Sequence, residues 1–451
     1  MKKLLAGLLA ITFTLSACQP KEQAWSDPFT PEWAQNATVY EVNVRQYTQA
    51  GTFAAFESHL PRLKEMNVDV LWFMPIQPIG EMNRKGSLGS YYSIKDYTAI
   101  NPEFGSLEDF KSVVNKAHEL GMHVIIDWVA NHTAWDHHWV TEHPEYYTAD
   151  TAGNSPTVPF DGNGVPTDWT DVADLNYNEA GLHADMLAEM AWWIDECNID
   201  GFRCDVASWV PHNFWQSAIN SLRGKKDIFM LAEANEAYLL DVFNADYGWE
   251  HHHIMNEIAK GNKTVADLVA HGEKISKDYP TSAMKMYFTT NHDENTWNGT
   301  TEERMGDHHD ALYALSMIWN KSIPLLYTGQ EAGLDHRLPF FEKDSVGINW
   351  GSAPDREAFY TQLFKLKHDN PALWNASYGG TFEVVEVNEA ANYIAVKRVN
   401  GNHEVWGYFN FGTTTVDIVS PSKLRKYTAI TPEQFTFNGE TLAPGYALLY
   451  K

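Results

Sequence analysis

Apolar and polar positions alternate along this chain in two rhythms. Short apolar runs rich in β-branched and aromatic residues recur at Ala37–Val44, Val68–Ile76, Met122–His132, Asp200–Ala207, Asp227–Asn235, Asp241–Trp249, Lys285–Asn295 and Ser322–Glu331. Their composition is that of strands. Amphipathic segments lie between them. In Ser106–Gly121, for instance, Leu107, Phe110, Val114, Ala117 and Leu120 recur at helical spacing and Gly121 ends the pattern. Strands alternating with helices predict an α/β fold whose parallel sheet closes into a (β/α)8 TIM barrel. A doubly wound sheet would carry a Gly-rich phosphate loop after its first strand, and no such loop is present.

Two stretches break the rhythm. Residues 132–176 are rich in Thr, Asp, Asn, Pro and Gly and read as a small inserted domain after strand three. From 376 to 451 the helical period gives way to alternating runs such as "NYIAVKRVNG" and "HEVWGYFNFG", which predict a C-terminal antiparallel β-sandwich domain. The barrel then occupies 31–131 and 177–375.

The N-terminus reads as a targeting signal. Lys2 and Lys3 precede an apolar run too short to span a bilayer, and the run ends in "LSAC". This resembles a bacterial lipobox, with a signal peptide at 1–17, a lipidated Cys18 and a polar tether at 18–30. Gln19 is not the aspartate that retains a lipoprotein at the inner membrane, so an outer-membrane lipoprotein facing the periplasm or the cell surface is expected. Cys197 and Cys204 read as buried free thiols, with a disulfide between them as the alternative.

Composition narrows the partners. A net charge of −26 with no long basic cluster argues against nucleic acid and anionic membrane surfaces. Seventeen Trp, 21 Tyr and 22 Phe fill cores, and the excess suits a cleft that stacks flat sugar rings. The runs "WDHHW" and "EHHH" lack a His-x-x-x-His spacing with a partner carboxylate. They read as polar surface or cleft lining, not as a zinc site.

Catalytic groups of such barrels sit where strands end. Here those ends carry Asp127 with Asn131 and His132, Arg203 with Asp205, Glu233, and His292 with Asp293. A buried carboxylate must be desolvated and paired, which a mere scaffold does not need. Retaining glycoside cleavage needs two carboxyl groups about 5–5.5 Å apart. Adjacent strands lie about 4.8 Å apart, so Asp205 and Glu233 suit it. Arg203 is expected to keep Asp205 ionised, and an apolar setting to raise Glu233 towards an acid's role.

The same positions resemble the α-amylase family of retaining glycoside hydrolases. "DWVANH", "GFRCDVA", "AEAN" and "FTTNHDEN" are similar to its first four signatures, in family order, and "ADLN" to the one in its inserted domain. The resemblance implies Asp205 as nucleophile, Glu233 as acid/base and Asp293 as the third carboxylate. It implies Tyr92, Asp96, His132, Arg203 and His292 as substrate-binding or positioning residues, with Asp127 supporting Arg203. Asn131 and Asp174 match residues that bind a structural calcium. The implied substrate is a starch-like α-glucan or maltooligosaccharide cut at α-1,4 bonds. Transglycosylation and α-1,6 action are the alternatives within the family, and a non-catalytic sugar-binding lipoprotein the alternative outside it. "VASW" replaces the Lys-His pair of typical endo-acting members, and "ADLN" is nearer to small-oligosaccharide hydrolases than to "PDLD". Trp135, Trp139, Trp209 and Trp297 follow these motifs, and some are expected at sugar subsites.

Overall fold

The computed structural model describes residues 29–161, 163–418, 428–430 and 440–450. The leader, Cys18 and the tether up to residue 28 lie outside the described residues.

Eight strands form a closed barrel: β1 (Val39–Val42), β2 (Val70–Phe73), β3 (His123–Trp128), β4 (Gly201–Cys204), β5 (Phe229–Ala232), β6 (Ala245–Tyr247), β7 (Met284–Tyr287) and β8 (Ser322–Tyr327). The order around the ring is β1-β8-β7-β6-β5-β4-β3-β2, with every pairing parallel. Each strand sits inside its apolar run, except that β7 starts one residue early at Met284. The runs are largely apolar because both faces are buried. Val39, Val70, Trp72, Ile125, Phe229, Leu231, Met286 and Leu325 fill the barrel interior. Their alternates, among them Tyr40, Leu71, Ile126, Phe202 and Met230, pack outward against the helices. The interior is thus a core, not a pore.

The helix Leu107–Glu119 illustrates how local signals fix each unit. Ser106 and Asp109 form a reciprocal capping box at its start, and Gly121 turns the chain at φ 72° beyond its end. Phe110, Val113, Val114 and Ala117 are its buried stripe.

The insert after β3 carries a short antiparallel pair, His132–Ala134 against Val172–Asp174, and the barrel resumes with the helix Ala180–Cys197. Trp139, Tyr146 and Tyr147 from the insert join the main core. The C-terminal sheet has five antiparallel strands: β9 (Thr381–Asn388), β10 (Tyr393–Asn400), β11 (His403–Asn410), β12 (Thr428–Ile430) and β13 (Gly445–Tyr450), in the order β9-β10-β11-β13-β12. Ile394, Val396, Phe409 and Leu448 face the barrel. Tyr393, Ala395, Tyr408 and Ala447 face a second, two-stranded sheet that contributes Val416 and Leu442.

Cys197 and Cys204 are buried free thiols. The histidine runs differ from the surface reading. His251 and His252 sit on the inner face of the helix Trp249–Ala259, stacked on Tyr287 at 4.1 Å and Phe288 at 4.8 Å. His137 is buried as well. Burial as neutral rings accounts for them, since desolvation lowers the pKa of all three.

Candidate active site

The first residues beyond strands β4 and β5 are Asp205 and Glu233. His132 follows β3 by four residues, and His292 and Asp293 follow β7 by five and six. Together with Tyr92, these six side chains line one cleft of about 480 Å³ at the C-terminal mouth of the barrel.

Arg203 organises the floor. It lies on the inward face of β4, fully buried. Its Nη1 donates to Asp127 Oδ1 at 2.9 Å and Asp205 Oδ1 at 2.9 Å, and its Nη2 lies 2.9 Å from Glu233 Oε2. Nε donates to the Tyr247 hydroxyl at 3.0 Å. The planar fork is what allows one cation to serve three carboxylates. Arg203 does not reach the cleft surface, so its place is beneath the carboxylates and not against a substrate.

One cation cannot neutralise three desolvated carboxyls. Burial raises the Asp205 carboxyl, Arg203 pulls it back and Asp127 pushes it up again, leaving it at about 6. Burial also raises Asp127 to about 6 against the pull of Arg203. Glu233 goes furthest, to about 7, through burial opposed by Arg203 and reinforced by Asp205 and Asp293. The expectation that Arg203 holds Asp205 ionised is met only in relative terms: burial outweighs the arginine, yet Asp205 remains the more acidic of the pair.

Val206 ties the two groups together. Its backbone N–H donates to Glu233 Oε2 at 2.9 Å, and this is reached in a left-handed conformation, φ 34° and ψ 48°. A β-branched residue adopts that region only under strain held by its surroundings. Here the Ala207 N–H to Glu233 carbonyl bond, 3.1 Å, and the Asp205 N–H to Trp128 carbonyl bond, 3.0 Å, hold it from both sides.

Opposite stands a charged histidine. Burial opposes charge on His292, but Asp293 and Glu41 outweigh it and push its pKa up to about 9. Its Nδ1 hydrogen-bonds Glu41 and its Nε2 lies 2.9 Å from the Tyr92 hydroxyl. That hydroxyl donates to Asp127 Oδ2 at 3.1 Å, as does Trp72 Nε1 at 3.2 Å. His132, by contrast, is held neutral by burial, its pKa down at about 3.

Asp96 is not brought into the cleft. Its Oδ1 accepts from the Thr98 N–H at 2.9 Å and closes a local turn, so a match in spacing to Tyr92 did not place its carboxylate. Among the tryptophans, Trp297 is 53% exposed on the cleft wall, whereas Trp139 is core and the Trp135 indole donates to the Thr170 carbonyl. Trp209 stacks at 5.2 Å on Trp169, which lines the cleft. Trp169, Phe340, Phe341 and Lys85 also line it and were not anticipated, nor was Glu41.

Asn131 and Asp174 lie on neighbouring, hydrogen-bonded segments where the insert joins the barrel. Leu175 N–H donates to the Asn131 carbonyl at 3.1 Å, and Asp174 pairs with His132. Burial pushes the Asp174 carboxyl up to about 6, opposed by a hydrogen bond from Thr148. A desolvated carboxyl and an amide on neighbouring segments supply oxygen donors of the kind a hard cation takes. Among the described residues no group of three or more His, Cys, Asp or Glu side chains gathers to hold a metal, so further ligands would be carbonyls or water.

A sequence model of the Alpha-amylase family, described as "Alpha amylase, catalytic domain", matches residues 35–409. Alpha-amylase MalA of Haloarcula japonica is 26% identical over 414 residues, 87% of this chain and 58% of that protein. The chain therefore spans less than two thirds of that relative. An alpha-amylase from Lactobacillus plantarum superposes with a TM-score of 0.79 at 28% identity, over 93% of this chain and 99% of the other. The noncanonic maltogenic alpha-amylase AmyB from Thermotoga neapolitana gives 0.78 at 27%, over 93% and 97%.

Proposed function

The chain belongs to the alpha-amylase family, and from that premise we propose that it hydrolyses α-1,4-glucosidic bonds of starch-like α-glucans or maltooligosaccharides with retention of configuration. The observation that carries this reading is a single buried guanidinium bridging Asp205 and Glu233. The two carboxyls also lie within hydrogen-bond reach of one another, too close for a water to stand between them, which favours direct attack by a carboxylate.

In the proposed course, Asp205 attacks the anomeric carbon while Glu233 protonates the departing glycosidic oxygen. Both contacts named above fall on Glu233 Oε2, so the proton rides on Oε1. A covalent glycosyl-enzyme forms and the sugar leaving group departs. Glu233, now a carboxylate, takes a proton from water, whose oxygen displaces Asp205 from the anomeric carbon. Asp293 and the cationic His292 grip sugar hydroxyls, the neutral His132 hydrogen-bonds the same ring, and Tyr92 offers it a flat face. Arg203 and Asp127 act through Asp205 and Glu233 as positioning residues. The carboxylates surrounding the anomeric carbon stabilise the positive charge it develops.

Calcium at Asn131 and Asp174 would brace the insert against β3. Lipidation of Cys18 would tether the enzyme to the outer membrane.

Protein lacking residues 1–28 is to be incubated with starch, maltoheptaose, isomaltotriose and pullulan, and the released anomer followed by NMR. Initial release of α-anomers from the first two, lost in Asp205→Asn, is the expected outcome. Longer oligosaccharides appearing instead would indicate transfer to sugar. Binding without any product would return the chain to the class of sugar-binding proteins.

A further inference from the structure

Three loops are laced together on one side of the cleft. Lys85, on the loop after β2, donates its ammonium to the Asp168 carbonyl at 2.9 Å and pairs with Asp171 Oδ1 at 3.2 Å, both in the insert after β3. Two residues on, the Ser87 N–H donates to Glu342 Oε1 at 2.7 Å and its hydroxyl bonds Oε2. The Leu88 N–H donates to the Phe341 carbonyl at 3.0 Å. Phe341 and Glu342 belong to the chain after β8. An exposed ion pair holds little, but the Asp171 side chain is only 6% exposed, so Lys85 answers a charge that water does not reach. Beneath the lacing, the buried Arg45 donates to the Gly89 and Phe340 carbonyls at 3.2 and 3.3 Å and fixes the β2 and β8 loops to one another.

The laced arc runs over β3, β2, β1 and β8. In the ring, β1 lies four places from β5, so the arc stands across the barrel mouth from Glu233. The acid protonates the oxygen that departs with the reducing-end part of the glucan, and that part leaves on the side of Glu233. The non-reducing end must then point at the arc.

We infer that this arc is a closed wall, so that the enzyme takes an α-glucan by its non-reducing end and releases short units from it instead of cutting within the chain. Lys85 is the specificity-determining residue that shuts the wall against the insert. The inference rests on the proposed α-glucan hydrolase activity and fixes its mode of attack.

The test compares two p-nitrophenyl maltoheptaosides, one with a free non-reducing end and one blocked there by a 4,6-O-ethylidene group, with loss of substrate and all oligosaccharide products followed by chromatography. The wild type is expected to show kcat/KM about 100-fold or more lower on the blocked compound, a clash penalty and not a loss of chemistry. Lys85→Ala is expected to narrow that ratio about tenfold by opening the wall, whatever it does to the free-ended rate. Equal rates on both compounds with wild-type protein would overturn the closed wall. An unchanged ratio in Lys85→Ala would overturn the assignment to Lys85. No turnover of the free-ended compound would instead sink the hydrolase reading, and the mode of attack with it.

Discussion

Arg203 meets Asp127, Asp205 and Glu233 with one positive charge, and the imbalance sets the working pH. Asp205 must be ionised to attack, and Glu233 must hold its proton to expel the leaving group. With the pair's steps at about 6 and about 7, kcat/KM rises as pH climbs through the lower value and falls as it passes the higher. The expected profile on maltoheptaose is a narrow bell with its top between the two steps; a plateau from pH about 5 to 8 would contradict it. The charges at these strand ends were legible in the sequence because each interrupts an apolar run. Glu41 carries the same signal inside "VYEV" and could have been found by it. It lies in the middle of β1, and attention to strand ends passes over it. What no pattern revealed is the balance of terms: burial depth decides whether Arg203 or desolvation wins at Asp205, and depth is a property of the packed barrel.

Elements are more legible in the sequence than the loops between them. Strand and helix positions follow from periodicity, which survives without tertiary information. Phe340, Phe341 and Trp169 come from irregular chain after β8 and within the insert, where no period exists to place a side chain. The histidines at 251 and 252 face inward, against the surface position that "EHHH" suggests, because a helix and not their polarity decides which way they point. The paired segments at Asn131 and Asp174 make a prediction that belongs to this scale. A calcium ion held there would take the ionised Asp174, so protons would compete with it for that carboxyl below about pH 6. Millimolar calcium should therefore raise Tm over a chelator control at pH about 7.5, and much less at pH about 5. Asp174→Ala should erase the difference. A calcium-independent Tm at the higher pH, followed by differential scanning fluorimetry, would remove the metal from the description.

For the molecule as a whole, we propose that "LSAC" carries a lipid anchor at Cys18, since a net charge of −26 gives the surface no attraction of its own for an anionic membrane. Cells expressing the full chain and fed a labelled fatty acid should incorporate label, and Cys18→Ser should abolish it and move the protein out of the membrane fraction. Label retained in that variant would rule the lipid anchor out. At the other end of the chain, the C-terminal sheet is bound to the barrel by more than contact. Arg398, fully buried on β10, donates to the carbonyls of Ile318, Trp319, Trp374 and Gly380. It thus caps the end of the helix His309–Ile318 with a guanidinium from another layer. Apolar residues of that sheet also share the main core with the barrel helices. A shortened chain that stopped before β10 would uncover those four carbonyls together with one flank of the core. The sheet is therefore no detachable appendage: the barrel helix takes its C-terminal cap from it, and the two are expected to melt in a single cooperative transition.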